Sequence, residues 1–220
     1  MKTTPSEIER SSMAIIEAEL RERGITLPEE NAALILRCIH ASADFDYAES
    51  LRFTPEAAAL GVAALRAGTT VVTDTNMALA GLSKPGLAKL GSSAFCFMAD
   101  EQIARAAKER GTTRAAAAFA YAAGRCPGAI LAVGNAPTAL FAIAAQIEQG
   151  LRPALVVAAP VGFVNVVESK ERIWEICLAQ KIPCIAAMGR KGGSSIAAAI
   201  LNALIYTAAD MLAPEKRGWN

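Results

Sequence analysis

Apolar residues in this chain come in short continuous runs, separated by longer stretches of helical periodicity. The runs are Thr69–Thr73 (TTVVT), Ala94–Met98 (AFCFM), Ile130–Val133 (ILAV), Ala154–Ala158 (ALVVA) and Cys184–Met188 (CIAAM). Near-continuous apolarity is the pattern of strands covered on both faces, as in a parallel sheet. Between and after them lie Asp100–Arg110, Thr113–Gly124, Pro137–Gln149, Glu168–Gln180 and Ser194–Ala209, which read as helices. Strand then helix, repeated, predicts an α/β fold, a mostly parallel sheet flanked by helices with right-handed crossovers. Two N-terminal helices are expected before the first sheet strand. Ser6–Arg23 carries Met13, Ile16 and Leu20 at helical spacing and ends at Gly24, a C′ glycine. Pro28–Ala41 presents Leu34, Ile35, Cys38 and Ile39 on one face. Neither a low-complexity linker nor an internal repeat divides the chain, so residues 1–220 are expected to form a single domain.

Two uncharged stretches raise the question of a membrane. Cys126–Ile147 is long enough to span a bilayer, but Pro127-Gly128 and Gly134-Asn135-Ala136-Pro137 interrupt it. It reads as strand, loop and helix inside a protein core, with Pro137 opening the helix. Ser194–Ala209, rich in Ala with Ser and Asn202, reads as a buried helix. No membrane partner is expected.

Composition narrows the function. At 220 residues and 53% hydrophobic, the chain can bury a sizeable core. Its 22 basic and 21 acidic residues leave a formal charge of +1, so nothing draws it globally to nucleic acid or an anionic surface. Any anion site must be local. One histidine cannot build a catalytic zinc site. The five cysteines (Cys38, Cys96, Cys126, Cys177, Cys184) form no CxxC pair, which argues against a zinc ribbon, a redox motif or a secreted disulfide framework. Reduced thiols fit a cytoplasmic protein. The segment MKTTPSEIERSS has no apolar h-region and is not read as a signal peptide.

In open α/β sheets ligands bind beyond the carboxyl ends of the strands. Here those positions hold Asp74-Thr75-Asn76-Met77, Gly134-Asn135-Ala136-Pro137-Thr138, Pro160-Val161-Gly162-Phe163-Val164-Asn165 and Gly189-Arg190-Lys191-Gly192-Gly193-Ser194-Ser195. Gly, Asn and Pro dominate ordinary turns, so no one loop is informative; four together at one rim favour a site. Gly189–Ser195 carries the strongest signal. Its glycines let backbone N–H groups converge on an anion at a helix N-terminus, and Arg190 and Lys191 add full charges. Neither a P-loop nor a GxGxxG fingerprint is present, so a nucleotide is not indicated.

His40, the only histidine, ends the second predicted helix and is the side chain best suited to proton transfer near neutrality. Asp44 would orient its ring if that helix continued, and Arg37, three residues earlier, would lower its pKa. Cys38 and His40 are two apart on a helix and do not form a dyad. Asp44, Asp46 and Glu49 read as a solvated helix end rather than a metal site.

Together, Ile39-His40-Ala41-Ser42-Ala43-Asp44-Phe45-Asp46, Thr73-Asp74-Thr75-Asn76-Met77, Gly134-Asn135-Ala136-Pro137-Thr138-Ala139-Leu140, PVGFVNVVESKE (160–171) and Gly189-Arg190-Lys191-Gly192-Gly193-Ser194 resemble the precorrin-8X methylmutase (precorrin isomerase) family. The resemblance runs in order from about Ser6 to Met211, departing at Ser195. It implies a late isomerisation of cobalamin biosynthesis. A methyl group moves from ring carbon 11 to ring carbon 12 of a tetrapyrrole, giving hydrogenobyrinate, or cobyrinate when cobalt is already present. It further implies no cofactor and no metal ligands from the protein, and a homodimer with the site near the subunit interface. By resemblance, His40 is the proton-donating catalytic residue. Ser12, Arg37, Arg114, Arg190, Lys191, Gly192, Gly193 and Ser194 contact the substrate, and Asn76 and Met77 line the macrocycle face. The stretch 43–49 and the DTNM loop look more like members that take cobalt-precorrin-8. Two alternatives stay open: a non-catalytic corrinoid carrier, and a phosphate-ester enzyme using Gly189–Ser195.

Overall fold

In a computed structural model, which describes residues 4–217, six strands build one sheet: β1 (Leu51–Phe53), β2 (Val71–Thr73), β3 (Ala94–Phe95), β4 (Ile130–Val133), β5 (Leu155–Ala158) and β6 (Cys184–Ala187). Their order is β1-β6-β5-β4-β2-β3. All neighbours are parallel except β1, which pairs antiparallel with β6, Leu51 facing Ala187. The five apolar runs are thus strands. Phe97 and Met98 leave the run after β3 and pack against helices instead.

β1 carries no apolar run and is an addition to the sequence reading. An edge strand paired on one side shows alternation rather than continuous apolarity, and here Leu51 is buried while Arg52 is exposed. Consequently three helices, not two, precede the first strand: α1 (Pro5–Glu22), α2 (Glu29–Ser42) and the one-turn α3 (Tyr47–Ser50). α1 opens with a capping box, Thr4 and Glu7 bonding each other's backbone N–H. It closes before Gly24, whose φ is +71°.

α4 (Ala57–Arg66), α5 (Asn76–Ala80) and α6 (Lys84–Leu90) follow, then α7 (Glu101–Glu109), α8 (Arg114–Arg125), α9 (Pro137–Glu148), α10 (Val166–Ala179) and α11 (Ser194–Ala208). The first three escape sequence reading because they are short or interrupted by Gly61 and Gly86. The last five agree with the predicted helices within two residues at each end.

Strand pleating sorts the side chains into two cores. Ile130, Ala132, Leu155, Val157, Ile185 and Ala187 join α1, α2, α4 and α11 on one face. Leu131, Val133, Val156, Ala158, Cys184 and Ala186 join α8, α9 and α10 on the other. The result is three layers, α/β/α. Among the described residues no helix is long and apolar enough to cross a membrane.

Candidate active site

β2 pairs with β3 on one side and β4 on the other, so the chain leaves β2 one way and returns past it. The loops after β2 and β4 therefore flank the switch point of the sheet, where such folds bind ligands. Asp74 closes that point. Its buried carboxylate accepts N–H bonds of 2.8 Å each from Gly134, Asn135 and Ala136. Burial pushes its pKa above the usual range, against the pull of those amides. Thr75 caps α5 through the Ala78 amide, and its hydroxyl lies 2.7 Å from that of Ser194. Gly134 packs so tightly there that a Cβ would sit 2.8 Å from the Ser194 Cα. Three loops thus converge on Ser194, whose hydroxyl is already engaged.

The loop after β6 is stapled to the loop after β5. Gly162 N–H donates to the Arg190 carbonyl at 3.2 Å and Gly193 N–H to the Ala159 carbonyl at 2.8 Å. The Lys170 ammonium, on the buried face of α10, donates to the carbonyls of Gly189 (2.8 Å) and Lys191 (2.7 Å). Carbonyls 189, 190 and 191 are all claimed by α10 and the loop after β5. In a trans peptide the next N–H points the opposite way, so the amides of Arg190, Lys191 and Gly192 turn away from β5. None of the three has a partner among the described residues. A row of open amides, beside the start of α11 and the Arg190 guanidinium, suits an anion.

The turn that follows His40 is tied to this loop by Lys191. The Lys191 ammonium donates to Asp44 at 2.7 Å and also to Asp46, and the Met188 N–H donates to the Ser50 carbonyl at 2.8 Å. The residues following α2 therefore lie along the same rim. The two carboxylates hold the Lys191 ammonium well above its usual pKa. They leave one of its three N–H donors for a ligand.

The expectation that Asp44 orients the His40 ring is corrected. α2 stops at Ser42, Ala43 takes left-handed geometry (φ +55°), and Asp44 faces Lys191 instead. The imidazole itself is exposed at the end of α2. Partial burial and the Arg37 guanidinium hold its pKa below 6.5, opposed by Glu9. Cys38, fully buried, has its thiol pushed up to about 12 by that burial and is no nucleophile.

Arg37 is largely buried, donating to Glu9 at 2.8 Å. Glu9 is also gripped by both contacts of Arg217, at 2.7 and 2.8 Å, and the Arg217 guanidinium stacks 4.1 Å from the Tyr206 ring. Glu9 thus ties Arg37, the cation that acts on His40, to Arg217. Ser12 turns its hydroxyl back onto the Ile8 carbonyl at 2.9 Å. Arg114 is exposed at the first position of α8, where Thr113 meets Thr138 of α9 at 2.8 Å. Neither Ser12 nor Arg114 shares a hydrogen bond with the other candidates among the described residues. Asn76 and Met77 open α5, Met77 being 72% exposed. Phe163 at 83% and Val164 at 76% form an apolar shelf on the loop after β5, and Arg190 lies 5.7 Å over the Phe163 ring. Apolar shelf and anion-binding edge together suit a flat, carboxylate-fringed ligand. A cavity of about 700 Å³ near the amino end of β6, lined by Leu34, Phe53, Ala58 and Val62, holds none of these residues.

A family model described as precorrin-8X methylmutase matches residues 7–207. The chain belongs to the precorrin-8X methylmutase family. It is 41% identical over 203 residues to a cobalt-precorrin-8 methylmutase of Leptospira interrogans, covering 90% of this chain and 91% of that one. It is 41% identical over 209 residues to the Salmonella typhimurium protein of the same name (92% and 95% covered), and 37% identical over 198 residues to a precorrin-8X methylmutase of Pseudomonas aeruginosa (90% and 93%). The crystal structure of precorrin-8X methyl mutase from Thermus thermophilus superposes with a TM-score of 0.84 at 40% identity, covering 93% of this chain and 96% of that one. Like its family, this chain is an isomerase of the methylmutase type, with its place in cobalamin biosynthesis.

Three residues of this methylmutase that shape the site were not singled out from the sequence: Glu9, Lys170 and Arg217. Lys170 had a readable signal. Val166, Lys170, Ile173 and Cys177 share the buried stripe of α10, so a lysine stands where the helical period demands an apolar residue. Burial lowers its pKa to about 8. Glu9 and Arg217 lie at opposite ends of the chain, and no local pattern joins them.

Proposed function

We propose that this methylmutase acts on precorrin-8 in its cobalt-bearing or metal-free form, moving the methyl group from ring carbon 11 to ring carbon 12. The observation that carries the reading is the joining of the His40 segment to the open amide row, through Lys191 and its two aspartates. A proton donor and an anion-binding edge then face one ligand beside an apolar shelf. The cobalt form is favoured, since both relatives described above at 41% identity bear the cobalt-precorrin-8 name.

In the resting enzyme partial burial and Arg37 disfavour the His40 cation. A docked polycarboxylate adds negative potential that favours the imidazolium. The imidazolium gives its proton to a ring nitrogen and polarises the conjugated system. The bond from carbon 11 to the methyl breaks as the bond from carbon 12 forms, and the proton then returns. Nothing is oxidised or reduced. General acid catalysis of this kind contributes about 10²–10⁴-fold, and positioning supplies more. Arg190, Lys191 and Gly192 receive peripheral carboxylates, with Gly193 and Ser194, whose amide and hydroxyl are held by Ala159 and Thr75, shaping the same edge; Ser12, Arg37 and Arg114 stand at further edges and Asn76 and Met77 against the macrocycle face. Phe163 and Val164 are too exposed for a lone protomer, which supports a homodimer closing over this rim. The near-neutral charge supports neither nucleic acid nor an anionic membrane as partner, and the free cysteines support a cytoplasmic enzyme.

The test is incubation with each form of precorrin-8, followed by absorbance and mass. Isomerisation gives a shifted spectrum at unchanged mass. Tight binding with an unchanged spectrum would instead describe a carrier.

A further inference from the structure

Lys170 is a fully buried cation whose hydrogen bonds, among the described residues, go to two main-chain carbonyls of the rim loop. Its position on α10 is dictated by the loop after β5, since Asn165 starts that helix in left-handed geometry (φ +57°). One ammonium therefore reports the position of one loop to the other. Without it, the carbonyls of Gly189 and Lys191 would lose their donor on the side that faces α10, where a partly buried acceptor left unpaired costs more than a typical hydrogen bond contributes. The loop would turn them toward water, and the amides that follow would turn inward with them.

We propose that Lys170 is a positioning residue for substrate carboxylates: by holding the carbonyls of Gly189 and Lys191, it faces the amides of Arg190, Lys191 and Gly192 toward the ligand. The inference rests on reading that loop as the carboxylate-binding edge. It assigns to a residue remote from the reacting atoms a share of substrate affinity rather than of chemistry. Gly192 leaves the loop little other freedom, because a Cβ there would lie 2.3 Å from the Ala159 carbonyl oxygen.

The experiment compares wild type, Lys170→Ala and Lys170→Met. Hydrogen exchange of the Gly162 and Gly193 amides, which bond across the two loops, reads positioning without any substrate. Both variants should exchange there at least about tenfold faster, with exchange in β4 and β5 unchanged. KM for precorrin-8 and Kd for the corrin product should rise about tenfold or more while kcat stays within about threefold. Methylammonium should restore affinity to Lys170→Ala, whose slot is empty, and not to Lys170→Met, whose side chain fills it. Unchanged exchange at Gly162 and Gly193 in the folded Met variant would overturn the proposal, as would a fall in kcat at constant KM. If wild type neither binds nor turns over a corrinoid, the substrate reading fails, and the exchange rates still decide whether Lys170 sets the loop.

Discussion

The Lys191 ammonium and the Asp44 carboxylate meet at 2.7 Å across 147 positions of sequence, joining the loop after β6 to the turn that follows His40. The pair is exposed to solvent, which screens it, so it adds little to stability. Its effect falls on placement instead. In Lys191→Met the melting temperature should stay within a few degrees while kcat falls about 10–100-fold, the cost of a small misplacement of a catalytic group. Thermal unfolding and steady-state kinetics on the same sample check both halves.

His40→Asn should lower the isomerisation rate by about 10²–10⁴-fold, with product affinity nearly unchanged. The wild-type pH profile carries a second signature. As the proposed donor His40 acts through its cation, so the rate should fall as pH rises through its pKa. For kcat/KM, which reports the free enzyme, the midpoint should lie below 6.5, where burial and Arg37 place it. For kcat the midpoint should lie higher, since bound carboxylates favour the cation. A pH profile unchanged in His40→Asn would remove the histidine from the proton transfer.

Glu9 anchors two arginines in a largely buried cluster. Burial raises its pKa, but the Arg217 and Arg37 guanidiniums outweigh that and hold it below 4.5. A depressed carboxylate stabilises the fold fully above its unfolded pKa, and the contribution is lost as pH falls through the folded value. Denaturant titrations of wild type should therefore lose stability below about pH 4.5. Glu9→Gln should be less stable by about 3–5 kcal/mol at pH 7, because the largely buried ion pairs of Glu9 with Arg37 and Arg217 are broken. Its acid limb should be flatter.

Gly192→Ala places a methyl group against the Ala159 and Pro160 carbonyl oxygens, at 2.3 and 2.7 Å. The loop must move, at a cost of about 1–3 kcal/mol. Substrate KM should rise more than in Gly189→Ala, where a Cβ would meet no atom within 4 Å although φ is +72°. Chemical denaturation and KM for the two variants give the comparison.

Much of this protein is local and therefore readable in one dimension. Strands covered on both faces must be apolar at every position, which is why β4 (Ile130–Val133) could be read residue for residue. β1 could not, because at the sheet edge one face of the strand is solvated and three residues carry too little alternation to register. The rim loops were legible as polar, glycine-rich breaks, and His40 stood out as the only histidine. Asp44 was misplaced because its direction depends on one residue, Ala43, adopting left-handed backbone that its side chain does not announce.

The sequence by itself determined the α/β architecture, the polar loops at the strand ends, the family motifs and the single histidine proposed as proton donor. Each of these follows from periodicity, composition or an uninterrupted stretch of chain. Tertiary structure alone decided which charges are spent. Lys191 lies between two aspartates, Glu9 gathers arginines from positions 37 and 217, and Lys170 reaches carbonyls nineteen and twenty-one residues away. Such pairings depend on distances of a few ångströms between segments remote in sequence, and Coulomb energies and hydrogen bonds respond to those distances, not to order along the chain.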